Sequence, residues 1–87
     1  MKYIKEILSS SNLQTVENLL KCAEEVKDQG DVFLIKMDGQ RSQNEKQYTI
    51  LITFPIMPSK IVRADELELK MAMLKALEEY LQVKGSE

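Results

Sequence analysis

Apolar residues recur at helical spacing in three stretches of the chain. The first stretch, at residues 3–8, is short, and a run of cap-forming residues at positions 9–12 ends it. In the second stretch, Ser11 and Gln14 have the spacing of a capping box and Gly30 supplies a left-handed stop, so we predict a long helix between them. Its apolar face consists of Leu13, Val16, Leu19, Leu20, Ala23 and Val26.

Two strand-like runs follow, at residues 31–37 and 47–55. A turn at Asp38-Gly39 would be a favoured hairpin pair, but it leaves the two apolar runs out of register. A hairpin centred near Ser42 and Gln43 aligns them, and a slip of one residue would invert every side chain. We therefore predict this register, with Asp38-Gly39 as a bulge inside a long first strand. It pairs Phe33 with Ile52, Ile35 with Ile50 and Met37 with Tyr48 on one face, and Val32 with Thr53, Leu34 with Leu51 and Lys36 with Thr49 on the other.

The remainder of the chain predicts a connector and one more helix. Pro55 ends the second run, and residues 56–63 form an extended connector. A brief third strand at Ile61-Val62 is an open alternative. Asp65 and Glu68 have the spacing of a second capping box, which predicts a helix over residues 66–83, before Gly85. Its apolar positions span about 200° of the circumference, so the helix must be covered on two sides, by the sheet and by the first short helix or a partner.

These elements predict an α+β fold of the form (α)α-β-β-α, with the helices packed on one face of an antiparallel β-hairpin. At 87 residues the chain has room for a single domain, which we place over residues 1–87. The sheet supplies little stability of its own, because a two-stranded sheet is marginal in water. The helices are therefore expected to provide most of the core.

Charge and composition narrow the class of protein. The net charge is −2 and the pI about 5.2, whereas a nucleic-acid-binding domain is expected to be basic. The lysine and arginine residues are scattered, so they form no cluster that would hold a membrane surface. No apolar run approaches the ~20 residues that span a bilayer. A single cysteine allows no internal disulfide, so we expect a cytoplasmic location.

The residue types needed for catalysis are scarce. The chain has no histidine, which removes the usual general base and the commonest metal ligand. Cys22 lies near Glu24 and Glu25, which disfavour the thiolate, so we expect it to be a small buried residue of the helix. We therefore predict a protein that is not an enzyme and has no cofactor or metal site.

Binding residues are the remaining candidates. Acidic side chains gather toward the end of the long helix, the hairpin carries charges of both signs near its tip, and two methionines on the last helix offer an adaptable apolar contact. The predicted partner-binding residues are Glu24, Glu25, Asp28 and Asp31 in the first group, Asp38, Arg41 and Glu45 in the second, and Met71 and Met73 in the third.

The hairpin segments, residues 31–41 (DVFLIKMDGQR) and 47–55 (QYTILITFP), resemble small bacterial immunity proteins that neutralise contact-dependent or polymorphic toxins. The resemblance implies a cytoplasmic inhibitor that binds a cognate toxin domain, for example a nuclease, and occludes its basic cleft. A homodimeric structural or regulatory adaptor is the alternative. Residues 69–77 (LKMAMLKAL) also resemble the last helix of double-stranded-RNA-binding domains, but the acidic residues around them argue against nucleic acid as the partner.

Overall fold

The computed structural model describes residues 1–85 and has three α-helices and three strands. The helices are α1 (Lys2–Leu8), α2 (Val16–Asp28) and α3 (Leu69–Gly85). The strands are β1 (Val32–Met37), β2 (Tyr48–Thr53) and β3 (Ile61–Glu66), and a single 3₁₀ turn lies between the first two helices. The fold is α+β, as the sequence predicts.

The start of α2 differs from the prediction. Ser11 does not cap this helix and lies in the 3₁₀ turn Ser11–Leu13. Thr15 is the cap, and its Oγ1 accepts a hydrogen bond of 3.1 Å from the backbone N–H of Asn18. Gln14 donates from Nε2 to the carbonyl oxygens of Ile7 and Leu8, so it satisfies the end of α1 instead. The predicted capping box is therefore wrong, because the Gln14 side chain bonds to the end of α1 and Thr15 takes the cap of α2.

The end of α2 follows the prediction. Gly30 has a φ of +88°, which an L side chain rarely adopts. Its N–H donates to the carbonyl of Lys27 at 2.9 Å, and the N–H of Asp31 donates to the carbonyl of Val26 at 3.3 Å. This pair of bonds is a Schellman motif, which ends the helix and sends the chain directly into β1.

The three strands form one antiparallel sheet in the order β1-β2-β3. The pairing of β1 with β2 has the predicted register throughout, from Val32 opposite Thr53 to Met37 opposite Tyr48. The first strand is shorter than predicted, however, because β1 ends at Met37. Asp38-Gly39 is not a bulge inside a strand, since residues 38–47 form a loop that the bond from Asp38 N–H to the Gln47 carbonyl closes at 2.8 Å.

The third strand is longer than the sequence suggests, and α3 starts later. Residues 61–66 all pair with β2, so Asp65 and Glu66 belong to a strand. The second predicted capping box is therefore wrong as well. The helix begins at Leu69 and includes Gly85, which was expected to follow its end. Pairing with β2 supplies backbone hydrogen bonds that a cap at Asp65 would forfeit.

The core lies between the sheet and the helices. α3 packs on β2 and β3 with one side and against α1 and α2 with the other, which accounts for its wide apolar face. Among residues 1–85, none of the helices has the length and apolar composition needed to cross a membrane. The buried core consists of Ile4, Ile7, Leu19, Cys22, Val26, Ile50, Ile52, Phe54, Val62, Ala64, Ala72, Met73, Ala76, Leu77 and Tyr80.

Candidate functional site

An apolar groove lies between α2 and β1. Its volume is about 540 Å³. The groove exists because α3 covers β2 and β3, whereas the helix that contacts β1 is α2. A helix is about 10 Å across and covers roughly two strands spaced 4.8 Å apart, so the third strand is left partly open. The lining residues are Leu20, Ala23, Glu24 and Lys27 of α2 and Asp31, Val32, Phe33 and Ile35 of β1 and the turn before it.

The groove exposes large apolar side chains. Leu20 retains 43% of its full exposure and Ile35 retains 40%. Met37, which is 63% exposed, continues the row of Phe33 and Ile35 along the same face of β1. Half-exposed aliphatic side chains that share one concave surface are typical of a site that another macromolecule covers.

The acidic residues near the end of α2 do not form one surface. Glu24 lines the groove, and Asp28 is exposed and lies 3.3 Å from the Nζ of Lys27. Glu25 is half-buried and its Oε1 accepts from the backbone N–H of Ile4 at 3.3 Å, which ties α1 to α2. Of the predicted contacts in this group, Glu24 and Asp28 are the ones that remain available to a partner.

Asp31 lines the groove and is itself buried. Its Oδ2 accepts a 2.7 Å hydrogen bond from the hydroxyl of Tyr80, and the Nζ of Lys84 lies 3.1 Å from the same oxygen. The Tyr80 ring also stacks on Phe54 at a centroid distance of 5.7 Å. This network joins α3 to the corner between α2 and β1, so Asp31 acts inside the molecule and not at its surface.

The hairpin charges converge in part. The Nε of Arg41 lies 3.5 Å from Asp38 Oδ2, and its Nη1 lies 3.5 Å from Asp65 Oδ1. Glu45 does not join them, because its Oε1 accepts from the backbone N–H of Ser42 at 2.7 Å and shapes the loop. Asp65 is the member that the sequence did not indicate, since the predicted helix placed it at a cap.

Both aspartates in this cluster are held in the charged form. The backbone N–H of Gln40 donates to Asp38 and lowers its pKa, with further help from Lys36 and Arg41. The hydrogen bond from Arg63 lowers the pKa of Asp65 far below its usual range, and the Thr49 hydroxyl donates to the same carboxylate. The cluster is a network of satisfied charges that fastens the loop to β3.

The two methionines of α3 have different environments. Met73 lies in the core with no exposure, whereas Met71 is 50% exposed. Cys22 is buried, and burial followed by the nearby charge of Glu25 raises the pKa of its thiol to about 11. The expectation that this cysteine is a small buried residue is confirmed. Of the two methionines, Met71 is the exposed one.

The described part of α3 carries charges of both signs on its exposed side. Lys70 and Lys75 precede Glu78 and Glu79 along the helix, and Lys75 Nζ lies 3.4 Å from Glu66. A cation cluster of the kind that holds phosphate groups is therefore missing from this helix between residues 69 and 85. Nor does any group of three acidic or cysteine side chains within residues 1–85 come together to hold a metal ion.

Sequence reasoning missed the groove residues Leu20 and Ile35, which it assigned to packed faces. The widths of the elements could have indicated them, because one long helix covers about two strands and leaves part of a third strand exposed. No family model, curated protein or solved structure matches this chain.

Proposed function

We propose that this chain is a non-enzymatic protein-binding module and that it contacts its partner through the groove between α2 and β1. The observation that carries the proposal is a set of exposed apolar side chains: Leu20 and Ile35 line the groove, and Met37 lies beyond it on the same face of β1. Burying the exposed half of such a side chain contributes about 1 kcal/mol. A partner that covers all three gains on the order of 3 kcal/mol, a factor of roughly 100 in Kd.

The partner that best suits the chain is a protein toxin, which makes this chain a cytoplasmic immunity protein of the kind its hairpin resembles. The net charge of −2 and the exposed carboxylates of Glu24 and Asp28 beside the groove support a partner with a basic surface, such as a nuclease cleft. Opposite charges speed association through long-range attraction. Covering the cleft would then block the toxin's access to its substrate.

A capture experiment with paired variants tests the groove. The tagged protein and its Leu20→Asp and Ile61→Asp variants are incubated with lysate of the source organism, and the bound proteins are identified by mass spectrometry. Ile61 is a matched control because it is 59% exposed on β3, away from the groove. We expect one stoichiometric partner with wild type and Ile61→Asp, and its loss with Leu20→Asp. Equal capture by all three would contradict binding at the groove, and no capture by any would contradict the proposal itself.

The charge contribution is tested separately with the purified partner. Glu24→Lys combined with Asp28→Lys should slow association at low salt, and the difference should shrink at high salt as screening increases. Glu25 is left unchanged because it holds α1. Association rates that do not depend on these charges would refute electrostatic steering while leaving the groove intact.

A homodimeric adaptor is the second candidate. The observation that favours it is the position of β1, which is an edge strand bordering the same groove. An exposed strand edge is a ready template for pairing with another chain. In this case the apolar surface would be covered by self-association.

A further inference from the structure

The free edge of β1 offers a defined set of backbone groups. In an antiparallel pair, alternate residues direct both N–H and C=O to the same neighbour. Since the N–H of Asp38 donates to Gln47, the even-numbered residues of β1 bond to β2. The groups of Phe33, Ile35 and Met37 therefore point away from the sheet, and nothing within residues 1–85 pairs with them.

The two edges of the sheet are protected differently. The outer edge strand β3 carries Arg63, Asp65 and Glu66, and charged side chains discourage pairing with another chain. β1 has no proline and a single charged residue, Lys36, which Asp38 neutralises at 3.5 Å. The edge of β1 is therefore the one suited to accept a further strand.

We propose that a second copy of this chain occupies the groove, with β1 pairing antiparallel to its own copy about a two-fold axis at Ile35. This arrangement joins two three-stranded sheets into one continuous sheet. It uses the groove of the proposed function and so rests on it, because the second copy and a foreign partner compete for one surface. The dimer is the form that the protein adopts when no partner is present.

Symmetry and side-chain direction select the register. Residues directly opposite each other must point to the same face, so the axis passes through one residue of the strand. An axis at Ile35 places Ile35 against its copy and Phe33 against Met37 of the second copy, and the free groups of all three residues find partners. An axis at Leu34 pairs Phe33 with Ile35 but sets Met37 opposite Asp31, whose N–H already donates to Val26.

Charge and area are compatible with this dimer. The side chains brought together on the groove side are apolar. The rim of α2 carries Glu24 and Lys27, and Asp28 beside them is paired with Lys27 at 3.3 Å. Two copies related by a two-fold axis therefore meet without a concentration of like charge. Three partly exposed side chains, Leu20, Ile35 and Met37, and one strand edge make a small contact beside the roughly 800 Å² that each side of a standard specific interface buries. An interface of this size gives a dimer that dissociates on dilution.

The mass of the protein as a function of concentration tests the dimer. We expect wild type and Ile61→Lys to rise from the mass of one chain to that of two between micromolar and millimolar concentration in sedimentation experiments. Ile35→Lys should stay at one chain, with a wild-type circular dichroism spectrum as the check on folding. Met37→Lys, at the most exposed position of the row, provides a second variant if the first does not fold. A wild-type protein that stays at one chain, or an Ile35→Lys variant that folds and still dimerises, overturns the proposal.

Hydrogen exchange tests the register independently. The amides of Phe33, Ile35 and Met37 should exchange quickly in dilute samples and become protected at least about tenfold in concentrated ones. The amides of Leu34 and Lys36 already bond to β2 and should change little. Protection on β3 in place of β1 would overturn the assignment. If the protein sediments as one chain but captures a partner that Leu20→Asp loses, the dimer alone is refuted. If it sediments as a dimer but captures no partner from the lysate, the proposed function alone is refuted.

Discussion

The hydroxyl of Tyr80 holds the helical layer to the corner where β1 begins. Tyr80 is fully buried, and its hydroxyl donates to Asp31 Oδ2 at 2.7 Å. Lys84 Nζ lies 3.1 Å from the same oxygen and 5.8 Å from the Tyr80 ring centroid. Tyr80→Phe removes one oxygen and leaves the ring stacked on Phe54. The variant therefore removes the hydroxyl that bonds to the buried Asp31 carboxylate and keeps the ring in place.

The expected cost is large for a chain of this size. A hydrogen bond to a charged group contributes about 1.5–3 kcal/mol, and the Asp31 carboxylate would lose one partner where water has little access. We take about 2 kcal/mol for Tyr80→Phe. At about 0.05–0.15 kcal/mol per residue, the whole domain has a free energy of unfolding of roughly 4–13 kcal/mol. The loss corresponds to a fall in Tm of about 8–16 °C.

Urea and thermal unfolding followed by circular dichroism measure this loss. The matched control is Tyr48→Phe, since Tyr48 is half-buried and its hydroxyl bonds to none of the described residues. We expect the control to change the free energy of unfolding by less than about 0.5 kcal/mol. If Tyr80→Phe unfolds within that same margin, Asp31 is not held by Tyr80 and the account of this corner is wrong.

Three further predictions concern the core, the thiol and the loop cluster. Met73→Ala should cost about 2–5 kcal/mol in urea unfolding, against less than about 0.5 kcal/mol for Met71→Ala, because only Met73 leaves a cavity. Cys22 should react with a thiol reagent at pH 8 only after denaturant is added, since it is buried and its pKa is raised to about 11; rapid labelling of the native protein would contradict this. Asp65 has a lowered folded pKa, so its contribution is present above the unfolded value of about 3.9 and is lost as the pH falls below it. Asp65→Asn should therefore be less stable than wild type at pH 7, and the two proteins should converge toward pH 2.

The strand register was predictable because it depends on alternation alone. Each side chain in a strand faces opposite to its neighbour, and only one alignment places Phe33 opposite Ile52 and Ile35 opposite Ile50. The stop at Gly30 was predictable for a similar local reason, since a φ of +88° favours a residue without a side chain. The stop depends on residues that are neighbours in sequence, and the register depends on the pairing of two strands. Both can therefore be read from the order of residues.

The capping boxes were not predictable, because each motif has a competing use in the folded chain. Gln14 reaches the carbonyls that end α1, and Thr15 takes over as the cap of α2. Asp65 is drawn into β3, where Arg63 and Thr49 donate to it. Each of these side chains has more than one possible hydrogen-bond partner. The tertiary fold decides which partner it takes, because it brings that partner within reach.

By itself, the sequence determined the helical and strand periodicities, the pairing of β1 with β2 and the scarcity of catalytic residue types. Only the tertiary structure decided which apolar residues are covered. Ile50 and Ile35 face each other on one side of the sheet, yet Ile50 is buried beneath the helices and Ile35 is exposed at the groove. The physical reason is coverage, because α3 is wide enough to cover β2 and β3, and the part of the same sheet face that β1 forms stays partly exposed.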